Sequence, residues 1–113
     1  MNPFDYSLCD QTVTIYRKDT RQVISNACLQ TKVSTPQESY GKSLEKTFRL
    51  IIPGDFPLQP GDRIYAGIGP AEVDWQTFIP ALVPRLYECG FAKPSCWEGR
   101  VTHWEAGNRK EKL

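Results

Sequence analysis

Thr47-Phe48-Arg49-Leu50-Ile51-Ile52, halted by Pro53-Gly54, is the stretch whose reading decides the fold. β-branched and aromatic side chains dominate it, and a proline–glycine pair cuts it off, which reads as a strand. Immediately upstream the chain changes character. Residues 34–46 run Ser-Thr-Pro-Gln-Glu-Ser-Tyr-Gly-Lys-Ser-Leu-Glu-Lys, with few apolar positions, Pro36 and Gly41. This is expected to be a long, polar, mobile loop, serving either as a plain connector or as a segment that orders on meeting a partner.

Further upstream, Val23, Ala27, Leu29 and Val33 fall at even spacing, with Ile24 and Cys28 on the other face. A long strand from Gln22 to about Val33 follows, with a bulge expected near Ser25-Asn26. Thr12-Val13-Thr14-Ile15-Tyr16-Arg17 alternates in the same way and reads as a strand, with Lys18-Asp19-Thr20-Arg21 as the hairpin turn between them.

Downstream, Asp55-Phe56-Pro57-Leu58-Gln59-Pro60-Gly61-Asp62 is a connection rich in turn formers. It feeds a short strand, Arg63-Ile64-Tyr65-Ala66, closed by Gly67-Ile68-Gly69-Pro70. Residues 71–84 read as an irregular excursion. At most one short helix fits, near 71–79, with Asp74 as its N-cap, because Pro80 and Pro84 stop anything longer. The apolar side chains Trp75, Phe78, Ile79, Leu82 and Val83 must then cover something. The last stretch is a hairpin. One arm spans 85–92 with an interruption at Gly90, Glu98-Gly99 makes the turn, and Arg100-Val101-Thr102-His103-Trp104-Glu105-Ala106 closes it. Pro94 marks an edge or a bulge.

Together these elements predict a mostly β chain, a small β barrel or sandwich of about six antiparallel strands. With 113 residues, no repeat and no second composition regime, a single domain over 1–113 is expected, with flexible ends near 1–8 and 108–113. Net charge is +1, which argues against a strong non-specific electrostatic grip on nucleic acid or membrane. No run of about 18 apolar residues occurs, and the first residues lack a basic start followed by an apolar core, so neither a spanning helix nor a secretory signal is expected.

A catalytic constellation is not evident. The one histidine, His103, has Glu105 two residues on, a base-and-orienter spacing. Along a strand, though, such side chains usually meet cross-strand partners instead. Thirteen acids include Asp62, Glu72, Asp74 and Glu105, but nothing around them marks a cleft for paired carboxylates. Gly67-Ile68-Gly69-Pro70 lacks the Lys-Ser/Thr of a phosphate loop. Cys9, Cys28, Cys89 and Cys96 contain no C-x-x-C pair, and free thiols are favoured over a metal site or a disulfide. Tyr16, Tyr65, Trp97 and Trp104, with Arg17, Arg49, Arg63 and Arg100, leave open a platform for single-stranded nucleic acid.

The Thr12-Val13-Thr14-Ile15-Tyr16-Arg17 strand, the Gly61-Asp62-Arg63-Ile64-Tyr65 strand entry and the closing Val101-Thr102-His103-Trp104-Glu105-Ala106-Gly107 resemble small head–tail connector proteins of tailed phages and prophages. More narrowly, they are similar to minor capsid or head-closure proteins of Gram-positive prophages. The opening Met1-Asn2-Pro3-Phe4-Asp5-Tyr6 and the turn Trp97-Glu98-Gly99-Arg100 look like uncharacterised prophage proteins of clostridial type. Residues 67–94 depart from the family pattern, which keeps the last turn short. The resemblance implies a structural protein of virion assembly that is no enzyme and takes no cofactor or small-molecule substrate. It implies self-association into a ring, neighbouring portal or tail proteins as partners, no membrane, and DNA at most through a channel. The chain would be cytoplasmic in the bacterial host until assembly and in the virion afterwards. Tyr40 and Lys42 on the polar segment, Trp75 and Phe78 on the excursion, and Trp104 on the closing strand are the candidate partner contacts. The alternative is a small β-barrel binding module for single-stranded nucleic acid or peptide.

Overall fold

The computed structural model describes residues 6–34 and 45–108. Seven strands follow one another: β1 (Gln11–Arg17), β2 (Thr20–Ser34), β3 (Glu45–Pro53), β4 (Arg63–Ala66), β5 (Leu86–Glu88), β6 (Phe91–Trp97) and β7 (Arg100–Gly107). They form one antiparallel sheet in the order β5-β4-β1-β2-β3-β7-β6, curled into a half-barrel. The mostly β expectation holds, with one strand more than the six expected.

The extra strand comes from the interruption at Gly90. The stretch expected to be one arm is split into β5 and β6, which lie at opposite ends of the sheet order. Only Cys89-Gly90 separates them. Gly61 N–H donates to Cys89 O at 2.9 Å and Cys89 N–H to Asp62 O at 2.8 Å, while Gly90 N–H donates to Gly107 O at 2.8 Å. Successive residues are thus tied to opposite ends of the sheet, and this corner forces the curl.

β2 carries the expected bulge. Gln11 pairs with Ala27 and Val13 with Ile24, so β2 holds one more residue than β1 across Ser25-Asn26. The extra residue flips the alternation. Ile24 and Ala27 are buried, whereas Val23 points outward and is exposed. The even-spaced face expected from Val23 to Leu29 is therefore broken at the bulge.

The concave side encloses Val13, Ile15, Ile24, Ala27, Phe48, Leu50, Ile52, Leu58, Ile64, Tyr87 and Ala106. Each large aliphatic side chain shielded there contributes about 2 kcal/mol of transfer free energy. β1 is buried on both faces, from Val13 through Tyr16. Its outer side chain Tyr16 packs with Phe78 and Leu86, flanked by Tyr65, Val73, Trp75 and Val83. The excursion is thus a second wall laid over the convex face. The expected short helix is reduced to one turn, in which Thr77 and Phe78 N–H donate to Asp74 O and Gln76 N–H donates to Asp74 Oδ1.

This wall is fastened through its own carbonyl oxygens, which an irregular segment leaves unpaired. Thr14 Oγ1 donates to Gly67 O at 2.7 Å and Tyr16 Oη to Pro70 O at 2.7 Å. Arg21 donates to Gly69 and Pro70 O, Arg63 to Trp75 and Phe78 O, and Lys46 to Pro80 and Val83 O. Three cations from three strands, β2, β3 and β4, thus hold one loop.

The Pro60-Gly61-Asp62 turn has its own lock. Asp62 is 1% exposed, and its carboxylate takes a two-pronged contact from Arg17, Nε to Oδ1 and Nη2 to Oδ2, each at 2.8 Å. Gln59 N–H adds a third bond. The hydrogen bond to Asp62 holds the Arg17 guanidinium pKa above its ordinary value.

Candidate functional site

Among the described residues, two further places bring polar or unpaired groups together. The first is on the convex face of β7. Within the N-terminal stretch expected to be flexible, Tyr6–Leu8 form a 3-10 turn. The Tyr6 ring stands edge-on to the His103 ring, centroids 5.5 Å apart, and Tyr6 Oη lies 2.5 Å from His103 Nδ1. On the far side, His103 Nε2 is 3.5 Å from Glu105 Oε2, which Arg49 Nη2 also approaches at 3.5 Å. The ring thus lies between a hydroxyl at Nδ1 and a carboxylate at Nε2. The i, i+2 pair does meet, although cross-strand partners were expected to draw the two side chains apart.

His103 is 4% exposed. Both ring nitrogens are engaged, so the line Tyr6–His103–Glu105–Arg49 ties the N-terminal turn across β7 to β3. No sequence pattern pointed to Tyr6. Its role depends on where the turn docks, which no local periodicity encodes.

Other chemistry-bearing groups are embedded. Burial, with the nearby Asp62 charge adding to it, pushes the Cys89 thiol up to about 11, so it stays protonated near neutrality. Its Sγ lies 3.1 Å from Phe91 O. Cys9 is also buried, Cys28 is half-buried and Cys96 is exposed. Among the described residues, no three His, Cys, Asp or Glu side chains gather as metal ligands. None of the described helices is long and apolar enough to cross a membrane.

The second place is the far end of the β2–β3 hairpin. The two strands pair from Cys28↔Ile51 to Ser34↔Glu45. β1 stops accompanying β2 at Gln11↔Ala27, and β7 stops accompanying β3 at Arg49↔Gly107. Beyond those points the hairpin continues as a two-stranded ribbon. One side-chain amide prolongs the ladder on each flank. Gln11 Oε1 accepts from Leu29 N–H at 2.8 Å. Asn108 Oδ1 accepts from Phe48 N–H, and Asn108 Nδ2 donates to Lys46 O.

The direction of the ribbon's backbone groups follows from these contacts. Leu29 N–H faces away from β3, and alternation then turns the N–H and C=O of Thr31 and Val33 the same way. No described strand pairs with them there. Gln30, Thr31, Lys32 and Thr47 are exposed. Isolated two-stranded ribbons are marginal in water, so a free ribbon edge is a ready template for another strand.

Three of the five expected contact residues are described. Tyr40 and Lys42 lie outside the described residues, as does most of the 34–46 segment; its ends, Ser34, Glu45 and Lys46, belong to strands. Phe78 lies inside the wall. It is 5% exposed, with its ring 4.7 Å from that of Tyr16, and packs against it. Trp75 is half-buried, with the Arg63 guanidinium 3.7 Å over its ring. Trp104 is half-buried and donates from Nε1 to Asp55 Oδ1 at 2.9 Å. Among the described residues, Trp75 and Phe78 belong to the 67–84 wall and Trp104 to β7.

Comparison with protein families, with curated proteins and with solved structures yields no match to this chain.

Proposed function

We propose that this chain is a non-enzymatic structural protein that acts by docking to other proteins, and that it serves as a head–tail connector or head-closure component of a phage or prophage particle. The observation that carries the docking half is the β2–β3 ribbon, whose Thr31 and Val33 backbone groups face outward without a described partner. An extended strand of a neighbouring subunit, or of a portal or tail protein, is what such an edge recognises. The engaged nitrogens of His103 and the protonated Cys89 thiol support the non-enzymatic half. The connector identity rests on the sequence resemblance.

The alternative nucleic-acid module requires stacking rings at the surface. Tyr16 is 2% exposed, which takes one of the four rings out of the platform the sequence offered. The test is the set of genes on either side. Portal, capsid and tail genes are expected, with particles lacking this chain showing heads without tails; a metabolic operon contradicts the reading.

A further inference from the structure

The other long edge of the sheet, β6, contrasts with the ribbon. One hydrogen bond sets its phase. Gly54 N–H donates to Thr102 O at 2.8 Å, in line with the β3–β7 register. Even-numbered β7 residues therefore face β3, and Glu105 and His103 face β6. Their partners Lys93 and Ser95 turn their backbone groups toward β7. Ala92, Pro94 and Cys96 turn theirs to the open edge.

Pro94 has no N–H. It stands at the middle of the three residues that face outward, so every well-overlapped antiparallel register with the same strand of a second copy includes both copies of Pro94. Centred on Pro94, the middle pair has no donor at all. Centred on Lys93, two exposed ammonium groups face each other, which destabilises a cross-strand pair. Near Ser95 the β6–β7 register also slips, because β7 carries one extra residue between His103 and Val101, and such a bulge twists the edge. Proline, lysine and a bulge on one open edge are the means by which β proteins prevent edge-to-edge pairing. All three lie within Lys93-Pro94-Ser95 and its β7 partners.

We infer that β6 is a latent self-pairing surface whose occupant would be β6 of a second copy, and that Lys93 and Pro94 keep it vacant. The inference goes beyond the docking reading and stands whichever protein meets the ribbon. It confines strand-mediated association of the native chain to surfaces other than β6.

The test compares the full chain with Pro94→Val and with Lys93→Thr/Pro94→Val by sedimentation over a range of concentrations, under reductant because Cys96 is exposed. Hydrogen exchange locates any contact. In the native chain the Ala92 and Cys96 amides are expected to exchange fast. The double variant is expected to self-associate at least about tenfold more strongly, with the Ala92 amide and the amide gained at position 94 both protected. Lys93→Thr alone leaves the backbone of β6 untouched, so it tests the same point if Pro94→Val disturbs the hairpin; it should strengthen association in the same direction, more weakly. Unchanged sedimentation and exchange in all variants overturns the inference. Protection of Ala92 in an oligomer of the native chain overturns it as well.

Discussion

β1 and the β2–β3 ribbon belong to the same sheet, yet their surroundings are opposite. β1 is flanked by β2 and β4 and covered on both faces, by the inner core below and by the 67–84 wall above. The ribbon past Arg49↔Gly107 has no flanking strand among the described residues and presents Gln30, Thr31, Lys32 and Thr47 to water. The difference teaches where the stability resides. Packing encloses β1 on both faces, whereas the ribbon packs inward through Phe48 and Lys46 and its outer edge carries no described strand.

The largest expected effect breaks the double-walled side. Phe78→Ala empties the space against Tyr16 and Leu86, and should cost about 3 to 4 kcal/mol in a urea unfolding experiment. A loss below about 1 kcal/mol would mean that the excursion does not cover a core.

A smaller effect comes from pH. Cys89 sits on the corner between β5 and β6, with its thiol raised from 9.0 to about 11 by burial. Between those values the unfolded chain has released the proton and the folded chain has not, so stability falls as pH rises from about 9 toward 11. The loss attributable to this thiol is about 2 kcal/mol at the upper end, and the Cys89→Ala chain should lack that part of the slope. Parallel pH profiles for the two chains would contradict the burial argument.

The smallest effect sharpens the other side of the comparison. Thr31→Ala and Lys32→Ser, measured in the same unfolding assay, should each change stability by no more than about 0.5 kcal/mol. A loss of about 2 kcal/mol at either would show that the ribbon is part of the core structure.

What was legible in the sequence follows the reach of the interactions. Strand identity and the Ser25-Asn26 bulge are local, and they could be read. So could the Glu98-Gly99 turn, whose residues take φ of 53 and 79, the pair of positive values that a tight hairpin needs. Pro94 pointed to an edge, and β6 is one. Thr14 and Tyr16 could not be read, because a polar-tipped residue on the outer face of a strand looks solvated. Their partners are carbonyls of Gly67 and Pro70, more than fifty residues on. The open ribbon edge was harder still. Tyr40 and Lys42 stand out as part of a polar segment, whereas the open edge at Thr31 and Val33 is defined by where β1 and β7 end. That is a property of chain lengths, and no single side chain announces it.

The central claim is that the ribbon's outer edge is unpaired in the isolated protein while β1 is enclosed. Native-state hydrogen exchange, resolved by residue, tests it most directly. The Thr31 and Val33 amides are expected to exchange within seconds, and those of Thr14 and Ile15 to be retained until the molecule unfolds globally. Protection at Thr31 and Val33 equal to that of β1 in the isolated chain would contradict it, since the edge proposed to receive a partner strand would already be occupied.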